Sequence, residues 1–112
     1  AVFTSREERH FDSKEERLHF GRGVSRFIVR IVRALPKEVG FLISKGGITS
    51  NDLLSEGLDL SYATVLGQIL PGITVVKTSD HHRMPGVPVA IFPGNVGDSE
   101  SLRTVYRRFS GV

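Results

Sequence analysis

Apolar and polar residues along this chain fall into blocks whose period changes several times, and each change marks an element. Val24, Phe27, Ile28, Ile31, Val32 and Leu35 recur at i, i+3, i+4, i+7, i+8 and i+11, the spacing of a continuous buried helical stripe. Arg26, Arg30 and Arg33 take the opposite face, and Pro36 stops the helix because proline lacks an amide donor and disfavours helical geometry at Leu35. Gly21 and Gly23 fall near its start or at a bend, so the helix reaches back towards Lys14. Residues 7–16 are charged without a clear period and read as a surface loop or a loose helix start. Residues 1–5, with Val2 and Phe3, read as a strand.

Further on, the apolar run 39–44 has strand length and suits a strand covered on both faces. Thr49 or Ser50 is placed to cap a short helix, with Asp52 in its first turn and Gly57 at its end. Residues 62–70 are β-branched and apolar, reading as a second central strand. Pro71-Gly72 turns the chain into a third strand at 73–77. Residues 78–88 form a polar loop held extended by Pro85-Gly86 and Pro88, and 89–92 make a fourth strand. Leu102, Val105, Tyr106 and Phe109 give a last helix starting near Ser99. This order predicts an α/β fold, a mixed sheet with flanking helices in a three-layer-like arrangement. The sheet has few elements, so we expect residues 1–112 to be one incomplete or excised domain of a larger unit.

Composition narrows the function. The 112 residues suit a single domain with a modest core, and 39% hydrophobic with 24% charged residues is ordinary for a globular protein. The chain has no cysteine, which excludes a disulfide framework, a thiol nucleophile and a thiolate metal site. No apolar run approaches the roughly 20 residues of a membrane span. A cytoplasmic location and no membrane partner are therefore the default expectation. The net charge of +3 invites a nucleic-acid reading. The arginines are scattered opposite apolar stripes, however, and no aromatic platform accompanies them, so no nucleic-acid partner is expected.

Two glycine loops carry the chemistry. Ser44-Lys45-Gly46-Gly47-Ile48-Thr49-Ser50 and Phe92-Pro93-Gly94-Asn95-Val96-Gly97-Asp98 each follow an apolar strand and open a helix. Such a junction presents unpaired amides and a positive dipole end, which suits a phosphate, and glycine lets the backbone approach an anion closely. The hydroxyls of Thr49 and Ser50 could donate to phosphate oxygens, Lys45 could face them as a point charge, and Asn95 could reach a base, ribose or phosphate. A plain strand-to-helix turn with a hydroxyl or Asp98 cap needs the same residues, and spacing does not separate the two readings. Neither loop has the Walker A or dinucleotide spacing.

The Asp80-His81-His82-Arg83 cluster lacks helical ligand spacing and reads as a solvated loop that could border the ligand cleft, and no protein-held metal is expected. His10 and His19 read as surface residues. Ser44, His81 and Asp98 offer a nucleophile, base and acid, but no nucleophile elbow surrounds the serine.

Taken in order, Thr4-Ser5-Arg6, the 44–50 loop, Gly67-Gln68-Ile69-Leu70-Pro71-Gly72, Arg83-Met84-Pro85-Gly86-Val87-Pro88 and the 92–98 loop resemble the C-terminal nucleotide-binding domain of the four-carbon acid sugar kinase family. The likeness covers nearly the whole chain. It implies ATP and Mg2+ as cofactors, a threonate- or erythronate-like sugar acid as substrate, and an N-terminal domain supplying most of the substrate site. Carried over by motif, Gly46, Gly47, Ile48, Thr49 and Ser50 would line the phosphates, and Gly94, Asn95 and Gly97 would form a second wall. No catalytic base can be named, so the chain alone should not turn over substrate. A homo-oligomer is compatible with this reading, as is a non-catalytic module that senses a nucleotide or a phosphorylated metabolite. Two departures stand out. Ile48 replaces an acid found in many members, and Phe92-Pro93 replaces lysine and serine.

Overall fold

A computed structural model describes residues 1–5 and 7–111. It contains helix α1 (Lys14–Arg33), strand β1 (Leu42–Lys45), helix α2 (Gly47–Asp52) continuing into a π-helical turn (Leu53–Gly57), strands β2 (Thr64–Leu70), β3 (Ile73–Lys77) and β4 (Pro88–Phe92), and helix α3 (Ser101–Ser110). The strands form one mixed sheet in the order β1-β4-β3-β2, with β1 parallel to β4 and the other pairs antiparallel.

Alternation along the central strands sends side chains to two cores. Leu42, Val76, Val89 and Ile91 face α1 and the π turn, packing with Val32, Leu53 and Leu58. Ile43, Val75, Ala90 and Phe92 face the opposite way and pack with Val105 and Phe109 of α3. The sheet is thus covered on both faces, as the expected three-layer α/β arrangement requires.

The sequence cues of α1 hold. Ser13 is its N-cap, accepting from the Glu16 amide at 3.1 Å, Glu15 and Glu16 occupy the positive end, and Arg30 and Arg33 the negative end. Its apolar stripe is not continuously buried, however. Val29 and Val32 are buried, whereas Phe27 is 62% exposed. The helix leans on the π turn, where a Cβ on Gly57 would lie 2.9 Å from the Val32 side chain, so glycine permits the close approach.

Other expectations need correction. Residues 1–5 form no strand and are exposed. Residues 62–70 do not make a central strand. β2 is an edge strand with Val65 66% exposed, and its register with β3 shifts twice, around the left-handed Gly67. A β-branched composition signals extended backbone, not burial, and an edge satisfies that preference equally well. The loop from Thr78 to Val87 is folded back, not extended. The Thr78 hydroxyl donates to the Met84 carbonyl at 2.6 Å and accepts from the Val87 amide at 2.8 Å, which closes the loop over buried Met84 and Val87. Among the described residues, no helix is long and apolar enough to cross a membrane.

Candidate functional site

Parallel pairing decides where the two glycine loops meet. Lys45 is in register with Phe92, so the chain leaves β1 and β4 at the same end of the sheet and side by side. The Gly46 amide donates to the Phe92 carbonyl at 2.8 Å, continuing the ladder one residue past β1. A Cβ on Gly94 would lie 3.9 Å from the Gly46 Cα, an ordinary contact distance, so the two loops run close beside each other. Lys45 bridges them. Its ammonium sits 4.6 Å from the Phe92 ring centroid and 3.5 Å from the Gly94 carbonyl.

Within the first loop the residues divide sharply. Gly46 caps α2 with φ 110°, a conformation that disfavours any side chain, and its carbonyl accepts from Ser50 at 2.9 Å. The amides of Gly47 and Thr49 fall in the first turn of α2 and have no carbonyl partner among the described residues. Gly47 has no left-handed φ, and a Cβ there would meet no described atom within 4 Å. Nothing in the fold demands glycine at 47. The Ile48 side chain lies outside the described residues, as does Arg6 of the first motif. Thr49 is half-buried and lines a small cavity between α2 and α1. Ser50 is 3% exposed and turned inward, its hydroxyl sharing a 2.9 Å hydrogen bond with that of Ser44. That bond fastens α2 to β1. Asp52 closes α2 instead of opening it, and accepts from the Ser25 hydroxyl of α1.

The second loop is more occupied with itself. Gly97 has φ 85°, and a Cβ there would lie 2.7 Å from Ser101 and 3.1 Å from the Phe92 ring, so it serves the turn and the packing of α3. Asp98 accepts from the Glu100 amide at 2.9 Å and the Ser101 hydroxyl at 3.0 Å. It thus supports the entry to α3 from two residues before the cap at Glu100. The Glu100 amide first, and then the Ser101 hydroxyl, hold the Asp98 carboxyl below its ordinary value. Gly94 and Asn95 are exposed, and the Gly94 φ is not left-handed. Val96 is braced by the β2–β3 turn, where a Cβ on Gly72 would come within 3.1 Å of it. Phe92 is buried against α3, which accounts for an apolar residue at that position.

The histidine loop lies at the other end of the sheet, between the end of β3 and the start of β4, and does not border this cleft. His82 is not simply solvated. Its Nε2–H donates to the Leu58 carbonyl at 2.5 Å while Nδ1 accepts from the Met84 amide at 3.0 Å, joining the loop to the π turn. Nothing in the local sequence announces that role. Ser44, His81 and Asp98 are not brought together: Ser44 is buried against Ser50, His81 is exposed in the far loop, and Asp98 is engaged in its own turn.

The first loop thus offers open amides and space above Gly47 beside the second, an arrangement of donors to which a phosphate oxygen is chemically suited. Comparisons with curated proteins and with solved structures give no significant match. The comparison with family models names the ligand class instead: the model described as the nucleotide-binding C-terminal domain matches residues 1–102, and the chain belongs to that family.

Proposed function

We propose that this chain is the ATP-binding domain of a kinase that phosphorylates a hydroxyl of a small four-carbon sugar acid, threonate- or erythronate-like. The supporting observation is the pair Gly47 and Gly94, on adjacent loops, neither with a left-handed φ and neither crowded by the fold. Family membership supplies nucleotide binding. The ordered motifs quoted above support the sugar-acid class.

In this reading the amides of Gly47, Ile48 and Thr49 donate to phosphate oxygens, and Gly94 and Asn95 close the other side. The Lys45 ammonium supplies positive charge at the rim. Gly46 and Gly97 shape the two turns, and Ser50 locks α2 in place from inside. ATP, when bound, supplies the transferable phosphoryl group, and Mg2+ would arrive on the phosphates. Among the described residues, no group of three or more histidines and carboxylates could hold a metal alone. Positioning and charge stabilisation are what such a cradle contributes to phosphoryl transfer. The sugar acid, and the group that takes the proton from its hydroxyl, belong to a separate substrate domain, and the whole enzyme to the cytoplasm.

Calorimetric titration of the intact protein with ATP, with and without Mg2+, and with sugar phosphates tests this. A clear preference for ATP is expected. Preference for sugar phosphates would replace the kinase with a metabolite sensor.

A further inference from the structure

The cradle accounts for phosphates but leaves the rest of a nucleotide unplaced. Two cavities adjoin along α1. The smaller, about 90 Å³, lies between α1 and α2, with Thr49 and Asp52 on one wall and Gly21, Val24, Ser25 and Ile28 on the other. The larger, about 410 Å³, is an open, almost wholly apolar groove lined by Phe20, Gly23, Val24 and Phe27 together with Thr4 and His19. Val24 belongs to both. The two cavities thus meet at Val24, one reaching Thr49 of the first glycine loop and the other an apolar shelf, and together they mark a track along α1.

Gly21 and Gly23 are the second observation. Both sit within α1, where glycine is among the least favourable residues. Neither has a left-handed φ, and a Cβ on either would meet no described atom within 4 Å. Helix packing and backbone conformation thus explain neither, yet Gly21 lines the smaller cavity and Gly23 the larger. Their missing side chains keep the track open.

From this we infer that the nucleoside half of the nucleotide lies along α1, its ribose beside Asp52 and Ser25 and its base on the shelf of Phe20, Val24 and Phe27. The inference rests on the phosphate site proposed above. Chemistry favours this occupant over an acidic one. Asp52 accepts from Ser25 through one carboxylate oxygen, and the other has no hydrogen-bond partner among the described residues. That oxygen can accept from a sugar hydroxyl, whereas the same carboxylate repels a phosphate or a sugar acid. The larger groove falls within the size range of small-molecule sites, and flat apolar rings suit a base.

Titrating the intact protein with ATP and with inorganic tripolyphosphate tests the assignment. The unsubstituted protein should bind ATP at least about tenfold more tightly than tripolyphosphate. Gly23→Leu, at an open helical site where leucine favours the fold, should lower ATP affinity about tenfold and leave tripolyphosphate within about twofold. Phe27→Ala, at an exposed position, should weaken ATP selectively by about threefold. Equal affinities in the unsubstituted protein, or equal effects of Gly23→Leu on both ligands, would overturn the nucleoside track and leave the phosphate cradle standing. Binding of neither ligand would remove both.

Discussion

The loops after β1 and β4 share a composition and an address, yet they spend their backbone groups differently. The first leaves the Gly47 and Thr49 amides open among the described residues and carries a glycine, Gly47, that the fold does not need. The second folds upon itself, with Asp98 bonded to Glu100 and Ser101 and with Gly97 wedged against Ser101 and Phe92. The lesson is that a glycine-rich motif is not uniformly functional. Within one motif, crowding and φ distinguish the residue that shapes the turn from the residue that leaves room for a partner.

Substitutions can break that distinction. Gly97→Val should have the largest effect, since the side chain would meet Ser101 and Phe92 in a left-handed backbone. A loss of about 3 kcal/mol, with a fall in Tm of roughly 10 °C or more, is expected in thermal denaturation. Gly47→Val should do the reverse. Tm should stay close to that of the unsubstituted protein while ATP affinity falls at least about tenfold by calorimetry, because the branched side chain fills the approach of the phosphates. A Gly47→Val protein that loses stability but not affinity would make the two loops alike. Asn95→Ala should weaken ATP by about threefold to tenfold, and unchanged affinity would take Asn95 out of the site.

The smallest effect belongs to Asp98→Asn. A carboxylate held below its ordinary value stabilises the fold above that value, 3.8, and the contribution disappears as pH falls through the lower, folded-state value. Chemical denaturation should therefore show a slight deficit for Asp98→Asn at neutral pH that closes in acid. A deficit that persists in acid would assign the effect to something other than the charge.

Much of this was legible in the residues. The span of α1, the turn at Pro71-Gly72, β3, β4 and both glycine loops follow from period, proline and capping chemistry, which act locally. What escaped depends on partners distant in sequence. β2 has the composition of a buried strand, but its place at the edge is set by pairing with β3 alone. Thr49 and Ser50 are chemically alike, and only their positions on α2 turn Ser50 towards Ser44 and Thr49 towards α1. His82 finds its carbonyl partner 24 residues away. The adjacency of the loops was likewise unreadable, because it rests on the parallel register of β1 with β4.

That register has a dynamic corollary. β1 is four residues long, lies at the rim of the sheet and is held to it by β4 alone, so it is a natural place for fraying. A ligand gripping both loops would act as a clasp across that seam. Amide hydrogen exchange in Ser44 and Gly46, whose amides face β4, should then slow on nucleotide addition more than exchange in the interior strand β3, tying occupancy to the cohesion of the weakest edge.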